Sequence, residues 1–170
     1  MSPRVALAVS IGLLGGVLTI LLAKFGLPFW AGFVAWAAVL QAGGGSPAVK
    51  NAMIGNAFGV VCAWLAALIW TALPLTGETS KVLWGGVLIG AVLFGMCLVT
   101  NLKLFSGAPL SFYGYAVTWG FLVLTPGAKE LSSLTGLHRN NALVAVVVSM
   151  WGGALFGLAS EKLAGALTKR

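Results

Sequence analysis

Long apolar stretches make up most of the chain, and shorter ones lie between them. Two segments, Phe29–Leu40 and Phe112–Leu124, are clearly shorter than the ~20 apolar residues that a membrane-spanning helix needs. The four long stretches are predicted spans, at Val5–Leu22, Asn51–Leu73, Val82–Leu102 and Asn141–Leu158. The order long, short, long therefore occurs twice. It predicts an all-α membrane protein with six membrane segments, four of them full spans and two of them short or broken helices.

Proline and glycine bound both short segments. Gly26-Leu27-Pro28 precedes the first, and Pro109 stands just before the second, in the stretch Pro109–Trp119. A helix that stops part-way across a bilayer is tolerated only where it is buried in protein or lines a cavity. We therefore expect the short segments to lie near the functional site. The remaining predicted segments are a long polar loop, Thr125–Arg139, and a polar tail, Glu161–Arg170.

The two halves of the chain also match in residues. Four residues recur identically 83 positions later: Leu27, Phe29, Trp36 and Gly44 match Leu110, Phe112, Trp119 and Gly127. With the repeated order of segments, this predicts two repeats, about 4–74 and 82–161, within a single transmembrane domain of residues 1–170. Each repeat has three passes, so the second enters the membrane from the opposite side. Such inverted repeats place a site near the midplane, where the discontinuous segments meet.

Composition supports a lipid-embedded protein. Of the 170 residues, 59% are hydrophobic and 8% charged, whereas about 25% are charged in soluble domains. The net charge of +7 comes from basic residues scattered singly, so no nucleic-acid partner is expected. An even number of passes puts six of them on the side of the termini: Arg4, Lys50, Lys103, Lys162, Lys169 and Arg170. The other side holds four, Lys24, Lys81, Lys129 and Arg139, and this difference favours cytoplasmic termini.

Each long span carries two glycines four residues apart. The pairs are Gly12/Gly16, Gly55/Gly59, Gly86/Gly90 and Gly153/Gly157. Small residues at this spacing let helix backbones approach closely in lipid. They predict tight packing of a small bundle, with a further interface between subunits as an additional use.

No catalytic group, metal site or cofactor site is expected. The acidic residues, Glu78, Glu130 and Glu161, fall in loops or at a span end, and no charged residue lies mid-span. Proton-coupled transporters usually keep such a residue in the membrane, and an enzyme needs a nucleophile and a base. Cys62 and Cys97 stand singly in apolar runs, so they are interpreted as small buried hydrophobic residues and imply neither a disulfide framework nor a metal site.

Four asparagines are the informative polar residues. They stand near the starts of the third and sixth segments: Asn51, Asn56, Asn140 and Asn141. An amide offers donors and an acceptor, which suits an uncharged dipolar solute. The alternative is that Asn51 and Asn140, or Asn141, cap a helix. For Asn56 the alternatives are lining a pathway and an interhelical hydrogen bond.

Aromatic pairs stand at the beginnings of the short segments. They are Phe29-Trp30 and Phe112-Tyr113. Such residues form belts at the headgroup level, or hydrophobic constrictions that exclude ions by refusing to solvate them. We favour a constriction for Phe29 and Phe112, because short segments should end away from one interface.

Two strings in the sequence resemble a known family. Phe29-Trp-Ala-Gly-Phe with the following Gly43-Gly-Gly, and Pro109-Leu-Ser-Phe-Tyr-Gly-Tyr-Ala, resemble a bacterial inner-membrane family catalogued as a domain of unknown function. That family looks like the trimeric small-solute channels. The resemblance implies six segments per protomer, a pore in each protomer of a homotrimer, and passage of small neutral solutes.

These observations together predict a passive channel for small uncharged polar molecules, such as urea-like amides, water and small alcohols. The pore is expected to lie within each protomer, lined by the two short helices. The alternatives are an ion-coupled transporter of a small metabolite, with sodium held by the carbonyls of Gly43–Gly45, and a membrane scaffold subunit that transports nothing.

Overall fold

A computed structural model describes residues 1–73, 76–102, 105 and 108–168. The secondary structure in these ranges is helical, without strands. The helices are α1 (Pro3–Lys24), α2 (Phe29–Gln41), α3 (Gly45–Ala72), α4 (Glu78–Val99), α5 (Ala108–Leu124), α6 (Leu131–Thr135) and α7 (Ala142–Thr168).

Four of the described helices are long and apolar enough to cross a membrane. They are α1, α3, α4 and α7, with 22, 28, 22 and 27 residues. The two shorter apolar helices are α2 and α5, with 13 and 17 residues. The prediction of an all-α, multi-pass membrane protein with four candidate spans is therefore confirmed for the described residues.

Two helices begin earlier than the sequence predicted. α3 starts at Gly45 and not at Asn51, and α5 starts at Ala108 and not at Phe112. Pro47 and Pro109 lie in the first turns of these helices. Proline is tolerated there because its missing N–H would have no intrahelical partner. Pro109, interpreted above as the boundary before the second short segment, thus lies in the first turn of α5.

Other boundaries differ because the ends of a helix need not coincide with the ends of an apolar run. α7 continues to Thr168, so the predicted tail is helical through this residue. α4 covers Glu78–Val99 in place of Val82–Leu102, and the loop Thr125–Arg139 contains the short α6. Three of the residues used above as topological charges lie outside the described residues, namely Lys103, Lys169 and Arg170, as does residue 74, the predicted end of the first repeat.

The two short helices end in the same way. Their last residues, Gln41 and Leu124, are 83 positions apart, the offset of the sequence matches. Three residues further on, Gly44 and Gly127 both have a left-handed φ of 74°. The first residue past each helix donates its N–H four residues back, from Ala42 at 3.0 Å and from Thr125 at 2.9 Å. Only glycine adopts a positive φ without strain, so both termini depend on it.

Residues 1–53 and 148–170 form one compact unit. It contains α1, α2, the start of α3 and the end of α7. A core of Leu18, Leu22 and Trp36 holds it together. α2 and α7 approach so closely that a Cβ at Gly153 would overlap the backbone of Gly32. Here backbone contact, allowed by glycine, sets the helix separation.

Residues 54–147 form the second compact unit. It contains the rest of α3, α4, α5, α6 and the start of α7. Its core is Ala63 of α3, Met96 of α4 and Tyr115 of α5. α3 and α5 cross with their backbones in contact, because a Cβ at Gly59 would overlap the Ser111 carbonyl.

The four glycine pairs divide into two classes. Those of α3 and α7 pack closely: Gly55 faces Leu110, and Gly157 faces Trp36 and Val39. The pairs of α1 and α4 have no neighbouring atom within 4 Å of a built Cβ: Gly12, Gly16, Gly86 and Gly90. The second class therefore lies on open helix faces.

Candidate functional site

One face of α5 carries three polar residues at helical spacing. Ser111, Tyr115 and Trp119 are four residues apart, so they form a single stripe along the helix. Ser111 is fully buried, Tyr115 is 4% exposed, and Trp119 is partly buried. The rings of Tyr115 and Trp119 are neighbours, with centroids 6.3 Å apart. We call Ser111, Tyr115 and Trp119 the polar face of α5.

Asn56 of α3 lies at the crossing with this helix. Gly114 of α5 packs against the Asn56 backbone so closely that no Cβ would fit between them. The Asn56 side chain is fully buried. Since Gly59, one turn further along α3, meets the Ser111 carbonyl, Asn56 and Ser111 belong to one interhelical contact.

The polar atoms of these four residues are not paired. The Asn56 amide nitrogen and oxygen and Ser111 Oγ are buried without a hydrogen-bond partner in the described part of the chain, and the Tyr115 hydroxyl and Trp119 Nε1 are near each other without the geometry of a hydrogen bond. Most buried polar groups in native proteins are paired, and each unpaired one costs about 1–3 kcal/mol. Five such atoms on one pair of helices are therefore an exceptional feature.

The other buried polar side chains of the described residues are not left unpaired in this way. Trp36 donates its indole N–H to Ser160 Oγ at 3.1 Å, and Ser160 donates to the Gly157 carbonyl at 2.7 Å. Ser10, which is fully buried, donates to the Ser160 carbonyl at 2.6 Å, and the partly buried Trp64 donates to the Leu134 carbonyl at 2.8 Å. The contrast sets the cluster formed by Asn56 and the polar face of α5 apart from ordinary packing.

The chemistry available to this cluster is hydrogen bonding without formal charge. The Asn56 amide both donates and accepts, as do the Ser111 and Tyr115 hydroxyls, whereas the Trp119 indole only donates. Across the described residues, no three His, Cys, Asp or Glu side chains come together as a metal site. Cys62 and Cys97 are free thiols and partly buried. The cluster can therefore exchange hydrogen bonds with a neutral molecule.

Asn141 is a helix cap. Its Oδ1 accepts from the N–H groups of Leu143 and Val144 at 2.9 and 3.3 Å, and its Nδ2 donates to the carbonyls of Leu134 and Gly136 at 2.9 and 2.7 Å. These contacts occupy both donors and both acceptor positions of the amide. The capping alternative therefore describes Asn141, and its amide has no free hydrogen-bonding position for a solute.

Asn51 and Asn140 are not caps. α3 begins at Gly45, so Asn51 lies more than one turn inside it and is partly exposed. Asn140 stands in the turn before α7, where its backbone N–H donates to His138 Nδ1 at 3.3 Å. The capping interpretation of both is wrong, because the helix starts fall at other residues.

The aromatic candidates lie near the N-terminal ends of the short helices. Phe29 and Trp30 are the first two residues of α2, and Phe29 is 40% exposed with its ring edge-on to Phe33. Phe112 and Tyr113 lie in the second turn of α5, where Phe112 is 43% exposed. Phe112 adjoins buried Ser111 in sequence but lies off the polar face of α5.

Sequence reasoning selected Asn56 and missed its neighbours. The signal for Ser111, Tyr115 and Trp119 was present, since three polar-capable residues at four-residue spacing mark one face of a helix. Their pairing with Asn56 had no such signal, because it depends on which long helix packs against α5.

Comparisons with known proteins identify a family but no function. A family described as "Protein of unknown function (DUF1097)" matches residues 8–165. No curated protein and no solved structure matches the chain. The match agrees with the resemblance to a domain-of-unknown-function family, and no comparison supports a likeness to the trimeric channels.

Proposed function

The chain belongs to the family described as protein of unknown function DUF1097, and we propose that it is a passive channel for small uncharged polar solutes, such as urea-like amides, water and small alcohols. One observation carries the proposal. Asn56 and the polar face of α5 form a buried line of uncharged hydrogen-bonding groups without protein partners. A permeating solute would supply the missing partners.

The free energies of hydrogen bonding and of ion desolvation favour a neutral solute. A net hydrogen bond contributes about 0.5–1.5 kcal/mol, so several weak sites in a row can replace part of a small solute's hydration without trapping it. A bare ion loses far more hydration energy, and the cluster offers no opposite charge to offset the loss. The proposed pathway therefore passes amides and alcohols and rejects salts.

The proposed pathway follows α5. Asn56 and Ser111 stand at its narrowest part, where α3 and α5 touch, and Phe112 and Tyr113 stand beside it. By the repeat, Phe29 and Trp30 are the matching residues on α2, and Asn51 and Asn140 remain proposed pathway residues. The aromatic residues would act as hydrophobic constrictions.

The inverted repeat is part of the same proposal. Identical left-handed glycines after α2 and α5 support a common origin of residues 4–74 and 82–161. Three membrane segments per repeat would make six passes, with both termini in the cytoplasm and the chain in a bacterial inner membrane. The open glycine pair of α1, Gly12 and Gly16, would then supply contacts between protomers of a homotrimer.

Stopped-flow light scattering of proteoliposomes tests the function. Vesicles holding the purified protein are shrunk with urea, formamide, glycerol or salt, and reswelling is compared with protein-free vesicles. We expect faster reswelling with the neutral solutes only. Equal rates in both vesicle preparations for every neutral solute would refute the channel, and a requirement for a sodium or proton gradient would favour a coupled transporter.

A further inference from the structure

A small cavity lies at the C-terminal end of the polar face of α5. It has a volume of about 180 Å³ and is lined by Trp70, Gly85, Ile89, Trp119 and Lys129. Trp119 belongs both to the cavity wall and to the polar face of α5. The cavity and the polar face are therefore contiguous within residues 54–147.

The cavity is placed at one end of its helices. Trp70 is close to the last residue of α3, Gly85 lies in the first half of α4, and Lys129 follows the end of α5. Helix ends and loops of a membrane protein lie toward the water interface. A solute entering the second unit from this side would thus meet the cavity before Tyr115 and Ser111.

The volume of the cavity limits the size of a ligand that it can enclose. One water occupies about 30 Å³ in the liquid, so the cavity holds a molecule of about six non-hydrogen atoms. Pockets for drug-sized ligands are larger, about 300–1,000 Å³. The cavity thus fits a solute of the size of an amide or short alcohol, and is too small to enclose a sugar or a nucleoside.

The lining sets the chemistry. Two indoles and Ile89 provide apolar surface, which favours a molecule with an apolar or flat face. Among the described residues, Lys129 is the charged residue in the lining, and none of the lining residues is acidic. Its ammonium donates hydrogen bonds and repels cations. The preferred ligand therefore carries a hydrogen-bond acceptor and no positive charge.

We propose that this cavity is the entrance binding site of the channel, and that it selects small, flat, neutral molecules with a carbonyl acceptor. Its role as an entrance rests on the proposed function, whereas binding of such a molecule does not. Trp119 passes the solute from the cavity to the polar face of α5. Lys129 orients the carbonyl and excludes cations of the same size.

Urea and guanidinium are matched probes. They have the same planar shape and number of heavy atoms, but only urea has a carbonyl and only guanidinium has a positive charge. Protein labelled with ¹⁵N-tryptophan in lipid nanodiscs gives one indole signal for each of its seven tryptophans, assigned by single Trp→Phe substitutions. We expect urea to shift the Trp70 and Trp119 signals saturably, and guanidinium at equal concentration to leave them in place.

Two adjacent glycines supply a matched pair of variants. A Cβ at Gly85 would lie 2.7 Å from the Trp70 ring and displace it, whereas Gly86 has no neighbour within 4 Å. We expect Gly85→Ala to weaken urea binding about tenfold, as one misplaced methyl group can, and Gly86→Ala to bind as the wild type. If Gly85→Ala fails to fold, Ile89→Phe fills the same cavity and should weaken binding likewise.

The outcomes separate the cavity from the channel. Urea permeation without saturable shifts at Trp70 and Trp119 would overturn the entrance site and leave the channel standing. Saturable shifts without permeation would keep the binding site and overturn the channel. Equal shifts with urea and guanidinium in the wild type would refute the assigned selectivity. So would a Lys129→Gln variant that discriminates urea from guanidinium as the wild type does.

Discussion

Gly114 of α5 lies directly against the backbone of Asn56 in α3. A Cβ at residue 114 would overlap the Asn56 carbonyl, so the two helices are as close as their backbones allow. This contact buries the Asn56 amide beside Ser111, and neither side chain finds a protein partner. Close helix packing and unpaired polarity thus occur at the same place.

Gly114→Ala should separate α3 from α5. Overpacking of this kind costs about 1–3 kcal/mol, so we expect a lower thermal unfolding midpoint in detergent and slower urea permeation in vesicles. Gly95→Ala on α4 is the control, because nothing lies within 4 Å of its added methyl group. Equal midpoints for the two variants would contradict the close crossing.

Asn56→Leu should stabilise the protein while reducing its transport. The substitution keeps a similar volume and removes a buried amide without partners, and such an amide costs about 1–3 kcal/mol. We expect a higher unfolding midpoint and slower urea reswelling. Asn101→Leu, at an exposed amide that bonds to the Leu98 carbonyl at 3.2 Å, is the control. A lower midpoint for Asn56→Leu would identify a structural hydrogen bond and remove Asn56 from the pathway.

The sequence predicted the helices more fully than the site. α2 was placed nearly to the residue because Pro28 precedes it and the Gly43–Gly45 turn follows it, and both are local signals. The predicted start of α5 was wrong for a local reason as well, since a proline such as Pro109 interrupts a helix interior but is tolerated in a first turn. A predicted helix boundary was therefore wrong where the same residue type can either interrupt a helix or begin one.

The site could be predicted only in part, because helix pairing is not local. The stripe of Ser111, Tyr115 and Trp119 is readable from spacing alone. Its partner Asn56 is more than fifty residues away in the sequence, and no periodicity indicates that α3, among the long helices, covers α5. Glu161 was interpreted as part of a tail for the same reason, since its partner Gly45 is 116 residues distant.

Phe112→Ala tests the proposed constriction. The ring is 43% exposed and adjoins Ser111, so its removal should widen the approach to the polar face of α5. We expect faster urea reswelling, or entry of larger alcohols. Phe94→Ala is the control, because Phe94 is 69% exposed on α4, away from this face. Unchanged rates and selectivity in a folded Phe112→Ala protein would show that the residue faces lipid.

Asn141→Ala should destabilise the start of α7. The amide caps this helix and also holds the Leu134 and Gly136 carbonyls. Loss of a cap alone costs about 1 kcal/mol, within a range of about 0.5–2, and two orphaned carbonyls add to it. Asn140→Ala removes a neighbouring amide that caps nothing, so its unfolding midpoint should stay near the wild type. A reversed order of the two variants would refute the assignment of Asn141 as the cap.

Glu161 joins the end of α7 to the start of α3. Its Oε2 accepts from the Gly45 N–H at 2.7 Å, and its carboxylate fills the space beside Gly44, where φ is 74°. A carboxylate at a helix N-terminus satisfies an unpaired N–H and complements the positive end of the helix dipole.

Glu161→Ala should therefore lower the free energy of unfolding by about 1.5–3 kcal/mol, the range for a hydrogen bond to a charged group. Glu161→Gln keeps an oxygen acceptor without the charge and should fall between this variant and the wild type. The control is Glu78→Ala, which breaks a 3.1 Å pair with Lys81 on the surface and should change stability by less than about 1 kcal/mol. Unfolding in detergent measures all three. A larger effect at Glu78 than at Glu161 would mean that the carboxylate does not hold the glycine turn, because water screens the exposed Glu78–Lys81 pair more than the partly buried Glu161–Gly45 contact.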